Sequence, residues 1–382
     1  MSRIEYHRIA TFAARIALLV LFLGLFAPNG FAQHNTRQAA GVFETLREER
    51  NRDLYRALGG SAPTADHTQW TTNQTAINQL RGSEMFANSL TMAMWSPWEI
   101  THNRFRTIRD EAGWNTWAGG YYRTGEVKAD RGTRGFDTNR GGMALGADYG
   151  STRHWQFGGF FGYGAPKVEN QFGHVKADDM TMALYSKFNF FDQGTITTFL
   201  GYGFQDFKSR RRGYNGIIHH GSFKGDSGYA SIEYARVVNI VDIAAAIPLV
   251  AIDHQTAWIR QFSETDLEWG GQRMAGSSMG RTMLRLGFDT KWDMDLTFDT
   301  STRMQASVLL HGDARGTAQA YFPGSSAMMD LRGASIGRTL FNLGVTASGD
   351  YIARYNWFVD LDYFITERSH ALQCQFGVST RW

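Results

Sequence analysis

The sequence predicts an all-β chain, a twelve-stranded antiparallel transmembrane β-barrel with an N-terminal α-helix in its lumen. Three observations carry that prediction. The last strand, Leu372 to Trp382, alternates Leu372, Cys374, Phe376, Val378 and Trp382 with Gln373, Gln375, Gly377, Ser379 and Arg381. Strand after strand carries charge on its second face, which suits a wet interior and not a sandwich core. Long and short linkers nearly alternate, as they do when one rim of a barrel faces the cell exterior and the other the periplasm.

Composition agrees. Aromatics make up 14% of the chain and glycine 42 residues against 6 prolines, matching aromatic girdles and crowded walls. The mean hydropathy of −0.34 is what alternating strands average to. A net charge of +3 gives no case for a nucleic-acid partner. Cys374 is the single cysteine, so neither an intramolecular disulfide nor a cysteine-rich metal site can form, and no cofactor is expected.

Residues 1–32 read as an export signal. Arg3, Arg8 and Arg15 precede the apolar core Ile16 to Ala27, and Gly30 and Ala32 place small residues before a cleavage point after Ala32. The core is too short to span a bilayer comfortably, and no later stretch approaches ~18 apolar residues. Residues 33–72 are polar, with a charged helix expected over Val42 to Leu58, ended by Gly59-Gly60.

Residues 73–112 read as a helical junction. Ile77, Leu80, Phe86, Leu90 and Met94 recur at roughly helical spacing within Thr75 to Trp95, as in a helix packing on a neighbour. Ser96-Pro97-Trp98-Glu99 forms a capping box, predicting that a second helix starts there and runs to Ala112 before Gly113. That helix spans roughly 23 Å, near the height of a barrel wall. Its polar residues, among them Arg104, Arg106 and Arg109, point all round, so it is either a solvated connector or enclosed by polar walls, and a barrel lumen is such an enclosure.

Residues 113–382 hold the barrel. Strands are expected at Trp114–Val127, Arg140–Gly150, His154–Gly164, His174–Asn189, Gly194–Ser209, Gly225–Val238, Ile243–Phe262, Met279–Trp292, Ser301–Asp313, Ser335–Ala347, Ala353–Thr366 and His370–Trp382. Leu284, Leu286 and Phe288 oppose the lumen candidates Arg285, Asp289 and Lys291, and Val359, Leu361 and Tyr363 oppose Asp360 and Asp362. Arg104, Arg106 and Arg109 are expected to pair with Asp289, Asp360 and Asp362. Lys208 to Lys224 and Ser263 to Ser278 read as long outer loops, whereas Ser151-Thr152-Arg153 and Phe191-Asp192-Gln193 read as short inner turns.

Signals for catalysis are weak, and the chain is not read as an enzyme. Gly276-Ser277-Ser278-Met279-Gly280 matches G-x-S-x-G, but that motif needs a strand–turn–helix elbow, and here it enters a strand. His219-His220 lacks a carboxylate at metal-ligand spacing. His254 near Thr256 and His311 near Ser307 imitate the lipid-facing pairs of barrel phospholipases. Lys208 to Arg212 is a basic run facing lipopolysaccharide or solvent.

Several stretches resemble the autotransporter β-domain family. They are Leu54 to Leu58, Ala76 to Leu90 with its Gln79-Leu80-Arg81-Gly82-Ser83-Glu84 step, Arg104-Phe105-Arg106 with Arg109, Trp114 to Tyr122, Gly141 to Asp148, Phe199 to Gly203 and the terminal aromatic strand. Ser83 is one residue more than the family pattern has before its glutamate. The resemblance implies a monomeric type V secretion translocator in the outer membrane of a Gram-negative-type bacterium, surrounded by lipid and lipopolysaccharide. Periplasmic chaperones and the barrel-assembly machinery would be its partners, the latter reading Phe376, Val378 and Trp382. Residues 33–72 would then be a vestigial passenger or linker, or the remainder of a longer one. The other expectation is an outer-membrane channel or adhesion barrel with no secretion role.

Overall fold

The computed structural model describes residues 82–101, 112–130, 133–151, 154–190, 194–213, 216–241, 244–267, 271–292, 298–321, 328–352 and 355–382. Helix α1 (Glu84–Thr101) comes first. The strands follow as β1 (Gly113–Val127), β2 (Phe136–Gly150), β3 (Trp155–Asn170), β4 (Gly173–Phe190), β5 (Gly194–Arg212), β6 (Ile218–Arg236), β7 (Val238–Val241) and β8 (Ala244–Ile259). After them come β9 (Phe262–Ser263), β10 (Arg273–Met274), β11 (Ser277–Trp292), β12 (Asp299–Gly312), β13 (Thr317–Tyr321), β14 (Met328–Arg332), β15 (Thr339–Ile352), β16 (Tyr355–Thr366) and β17 (Ser369–Arg381).

Twelve of these strands form a closed antiparallel wall in the order β1-β2-β3-β4-β5-β6-β8-β11-β12-β15-β16-β17. β17 returns to β1 in unbroken register from Asn115↔Arg381 to Val127↔Ser369, and β7 prolongs β6 along β8. Closure leaves no edge with unpaired backbone groups, which is what a sheet inside lipid requires.

The wall is inside-out relative to a water-soluble protein. Met143, Leu184 and Phe376 are 62%, 68% and 61% exposed, while Asp148 and Asp362 are 1% and 0% exposed. Alternation alone produces this, because a period of two sends neighbours to opposite faces. Among the described residues no helix is long and apolar enough to cross a membrane; the strands make the crossing.

The inner connections are short throughout, at 151–154, 191–193, 242–243, 293–298 and 353–354. The outer ones vary, and the expected loop from Lys208 to Lys224 is mostly strand. β5 and β6 stay paired out to Arg212↔Ile218, leaving only 213–217 as the turn. The sequence hid this because the outward face of β5 changes character. Ile196, Leu200, Tyr202 and Phe204 give way to Asp206, Lys208, Arg210 and Arg212. The apolar part matches the ~9–11 residues a membrane strand needs. The remainder stands above the lipid belt, where hydrogen bonding to neighbouring strands, not greasiness, keeps it extended. β3 to β6 therefore make a tall side of the wall, and β16, with 12 residues, a low one.

Two outer connections are long and fold back. The segment 260–276 contributes β9 and β10, 313–338 contributes β13 and β14, and the four pair as β14-β13-β10-β9. Gly173, Gly216 and Gly312 serve the outer bends, the last two with φ of +80° and +100°, a region open to glycine.

Candidate functional site

The lumen has two zones, and α1 explains the outer one. Between Glu84 and Trp95 the helix carries a single charge, at its first residue. Met85 to Trp95 are buried on every side. A helix greasy all round has to be enclosed, and here the enclosure is the tall wall together with the folded-back strands. Phe86 meets Phe262 and Phe223 edge-on at 5.0 and 6.0 Å, and Phe223 stacks on Phe207 at 4.7 Å. Val168, Val175, Ala257, Ile259, Met274 and Met279 complete this apolar core.

The hairpin of β13 and β14 holds the other side of the helix. Asn88 Oδ1 accepts the Ala334 amide at 2.9 Å. A Cβ on Gly316 would stand 1.9 Å from the Ala87 carbonyl oxygen, so only glycine lets the two backbones approach this closely. At the helix start, Gly82 adopts φ +81° against Phe172 and Arg211. Arg211 donates from Nε to Glu264 at 3.0 Å, and Glu264 also accepts the Gln272 amide at 2.9 Å. His219 lies buried beside this pair, above the lipid belt. Burial, and next the Arg211 guanidinium, hold its ring below the ordinary histidine range, although Glu264 pulls the other way.

The structure gives no helix start at the capping box. α1 runs through Ser96 and Pro97 to Thr101 without a start there. Burial of the preceding turns keeps them helical, so no non-helical residue precedes Pro97 to be capped. Pro97 lacks the amide that would reach the Ala93 carbonyl, and the helix forgoes that bond. Arg104, Arg106 and Arg109 lie outside the described residues, as do Ala32 and residues 33–72.

The zones meet at Trp95. Arg123 sits between its ring and that of Phe364, 4.8 and 4.7 Å from the centroids. Arg281 donates to Gln255 at 2.8 Å on the same level.

Below this level the wall is polar and cross-linked to itself. Arg285 donates to Asp253 at 2.9 Å and to Glu233 at 2.8 Å, and Asp253 also accepts from Tyr229 and Ser231. Arg303 binds Asp360 at 3.3 Å and Asp362 more closely, with Asp289 4.0 Å away. Arg140 pairs with Asp179 and donates to the Tyr121 hydroxyl at 3.0 Å. Asp148 accepts from Gln156 at 2.7 Å and from Tyr185 at 2.9 Å. Each of these buried charges is thus met by opposite charge or hydrogen bonds from adjacent or next-but-one strands, as buried ions require.

Of the expected lumen residues, Arg285, Asp289, Asp360 and Asp362 line this zone, and Lys291 lies exposed near the inner end of β11. The partner that sequence reasoning missed is Arg303, along with Arg140, Asp179, Asp253 and Glu233. Strand parity identifies Arg303, which shares a face with Gln305 and Ser307 on β12. Phe376 and Val378 point outward from β17, and Trp382, just past its end, is exposed. Ser278 stands in extended β11 and not on an elbow, and His254 Nδ1 lies 3.0 Å from Thr282 Oγ1 and not on Thr256. His220 is exposed while His219 is enclosed.

Comparison with known proteins agrees with this geometry. The autotransporter beta-domain family profile matches residues 116–362. The translocator domain of the autotransporter NalP from Neisseria meningitidis superposes with a TM-score of 0.65 at 13% identity, covering 79% of this chain and 100% of that one. The beta domain of the Bordetella autotransporter BrkA gives 0.53 at 16% identity, covering 71% and 100%. The transport unit of AIDA-I from Escherichia coli gives 0.53 at 13% identity, covering 78% and 98%. No curated protein sequence matches the chain.

Proposed function

The chain belongs to the autotransporter β-domain family, and from that premise we propose that its outer-membrane translocator barrel grips α1 as the stem of an N-terminal passenger segment exposed at the cell surface. The barrel is a monomeric transport device of the outer membrane. The observation that carries the proposal is the burial of Met85 to Trp95 between the tall wall and the β13–β14 hairpin. An apolar stem held at the outer mouth anchors whatever precedes it in the chain. Residues 33–72 are the passenger or linker of this reading, and residues 1–32 its export signal, cut after Ala32.

A twelve-stranded barrel admits one helix of ~10–12 Å diameter and no folded domain, so the passenger crosses as extended chain or hairpin. Phe376, Val378 and Trp382, displayed on the lipid side of the closing strand, serve the barrel-assembly machinery after periplasmic chaperones deliver the chain. Deletion of Trp382 is expected to leave the protein in the periplasm; normal assembly without it removes that role.

The deciding experiment places an epitope tag after Gln33 and treats intact cells with protease. Loss of the tag with the barrel intact is expected. A protected tag on a folded barrel defeats the proposal. The channel reading differs in conductance. The intact protein should pass negligible current and deletion of α1 should raise it, whereas a large current from the intact protein favours a channel.

A further inference from the structure

On the outside of the tall wall, three lysines from three strands stand directly opposite one another. Lys167 of β3 faces Lys176 of β4, and Lys176 faces Lys208 of β5. One step further out His174 faces Arg210, and Arg210 faces His220 of β6, with Arg212 beyond. Like charges directly across a strand pair are destabilising, and the chain offsets only part of this. Glu169 pairs with Lys167, and Asp178 lies 3.8 Å from Lys208, a side chain that is still 75% exposed. Asp226, lower down, faces Arg260 at 3.3 Å. Among the described residues no carboxylate lies within ion-pair distance of Lys176, Arg210 or Arg212.

Height decides what meets this surplus. Tyr163, Met180, Tyr202 and Phe204 are exposed at the top of the lipid belt. From Phe204 to Lys208 is ~13 Å along the strand, or ~10 Å of height at a barrel's tilt. That is the level of the outer leaflet's headgroups. The low side of the wall has no such rows, since β16 ends at Thr366 and β17 begins at Ser369.

We propose that the outer face of β3 to β6 binds the phosphates of a phosphorylated glycolipid of the outer leaflet, on Lys176, Lys208 and Arg210, with acyl chains lying against Tyr163, Met180 and Phe204. The site rests on the outer-membrane placement but not on any passenger role, so the two fail separately. A phosphate bridging these cations turns a row of repulsions into charge-assisted hydrogen bonds. The local field is consistent with that, because burial first, then Lys176, Lys167 and Arg210, push the His174 ring below its ordinary range.

The test uses the full chain folded in nonionic detergent and the double variant Lys176→Gln/Arg210→Gln. The probes are bis-phosphorylated lipid A, the same lipid with both phosphates removed, sodium phosphate, and phosphatidylglycerol vesicles. Lipid A should raise the temperature at which the barrel loses its compact gel mobility. The double variant should bind it roughly tenfold more weakly, as loss of charge-assisted contacts predicts, and high salt should weaken the parent similarly. Without lipid, the double variant should be as stable as the parent or more so, because a repulsion has been removed. Equal binding by the variant or by the dephosphorylated lipid overturns the proposal. Equal binding of phosphatidylglycerol, or full competition by sodium phosphate, reduces the site to general anion attraction and also overturns it. If the double variant fails to fold, the proposal stands or falls on Lys176→Gln alone, with a several-fold loss expected and no loss overturning it.

Discussion

The outer and inner halves of the lumen solve one problem, filling a cylinder, by opposite means. In the outer half the filling comes from outside the sheet, with α1 and the β13–β14 hairpin supplying apolar bulk. In the inner half, among the described residues, the sheet turns its own polar side chains inward, with Arg285, Arg303 and Arg140 bonded to carboxylates on adjacent and next-but-one strands. The difference separates two tasks. The polar links tie strands of the wall to one another, and the apolar half holds the helix.

Substitutions can break that division. Replacing Phe86 and Leu90 together by alanine should cost about 3–5 and about 2–5 kcal/mol of helix docking. Current through the pore should rise, while the temperature of barrel unfolding stays nearly fixed. If the barrel destabilises as much as the helix, the halves are not independent. Arg303→Met should have the converse effect. It removes one cation from the enclosed Asp360 and Asp362, costing about 3–5 kcal/mol, read as a lower unfolding temperature with the pore still shut.

Finer tests sharpen the outer half. Gly316→Ala should cost about 1–3 kcal/mol through overpacking, because its new Cβ meets the Ala87 carbonyl backbone at 1.9 Å. Gly333→Ala should cost less, about one hydrogen bond, because its Cβ meets Asn88 Oδ1 at 2.5 Å and not backbone, and that side chain yields by giving up the Ala334 amide. Protease cleavage within β13–β14 ranks the two. The smallest effect is on pH. The folded state holds the His219 ring below its ordinary value of 6.5, so on acidification the unfolded mouth takes up the proton first. Stability of the mouth is therefore full above 6.5 and falls as pH drops below it. Glu367, held low by Thr339 and Arg338 against the pull of burial, acts in a separate window below 4.5. His219→Gln should abolish the upper window only, with cleavage of the outer hairpins against pH as the measurement.

Much of the cylinder was legible in the sequence because its signal is local. The alternation of Leu372 to Trp382, or of Met143 to Tyr149, needs no knowledge of the rest of the chain. The tall wall was not legible, because above the lipid Lys208 and Arg210 look like any solvated loop. The start of the helix was misplaced for a related reason. Ser96-Pro97-Trp98-Glu99 is a strong local start, but it competes with burial of Met85 to Trp95, a tertiary effect. One signal could have corrected the reading: from Met85 to Trp95 there is no charge at all, and Asn88, Ser89 and Thr91 are the only polar side chains. The wall partners of Asp360 and Asp362 were missed because pairing across β12, β15 and β16 depends on register, which the sequence does not state.

Pro97 has a mechanical consequence. It deletes one rung of the backbone ladder, costing about 3 kcal/mol of intrinsic helicity, immediately below the clamped length of α1. The rod thus carries a predetermined crease. Tension applied from the periplasmic side would be spent uncoiling the helix at Pro97 before it could work Phe86 and Leu90 loose from the mouth.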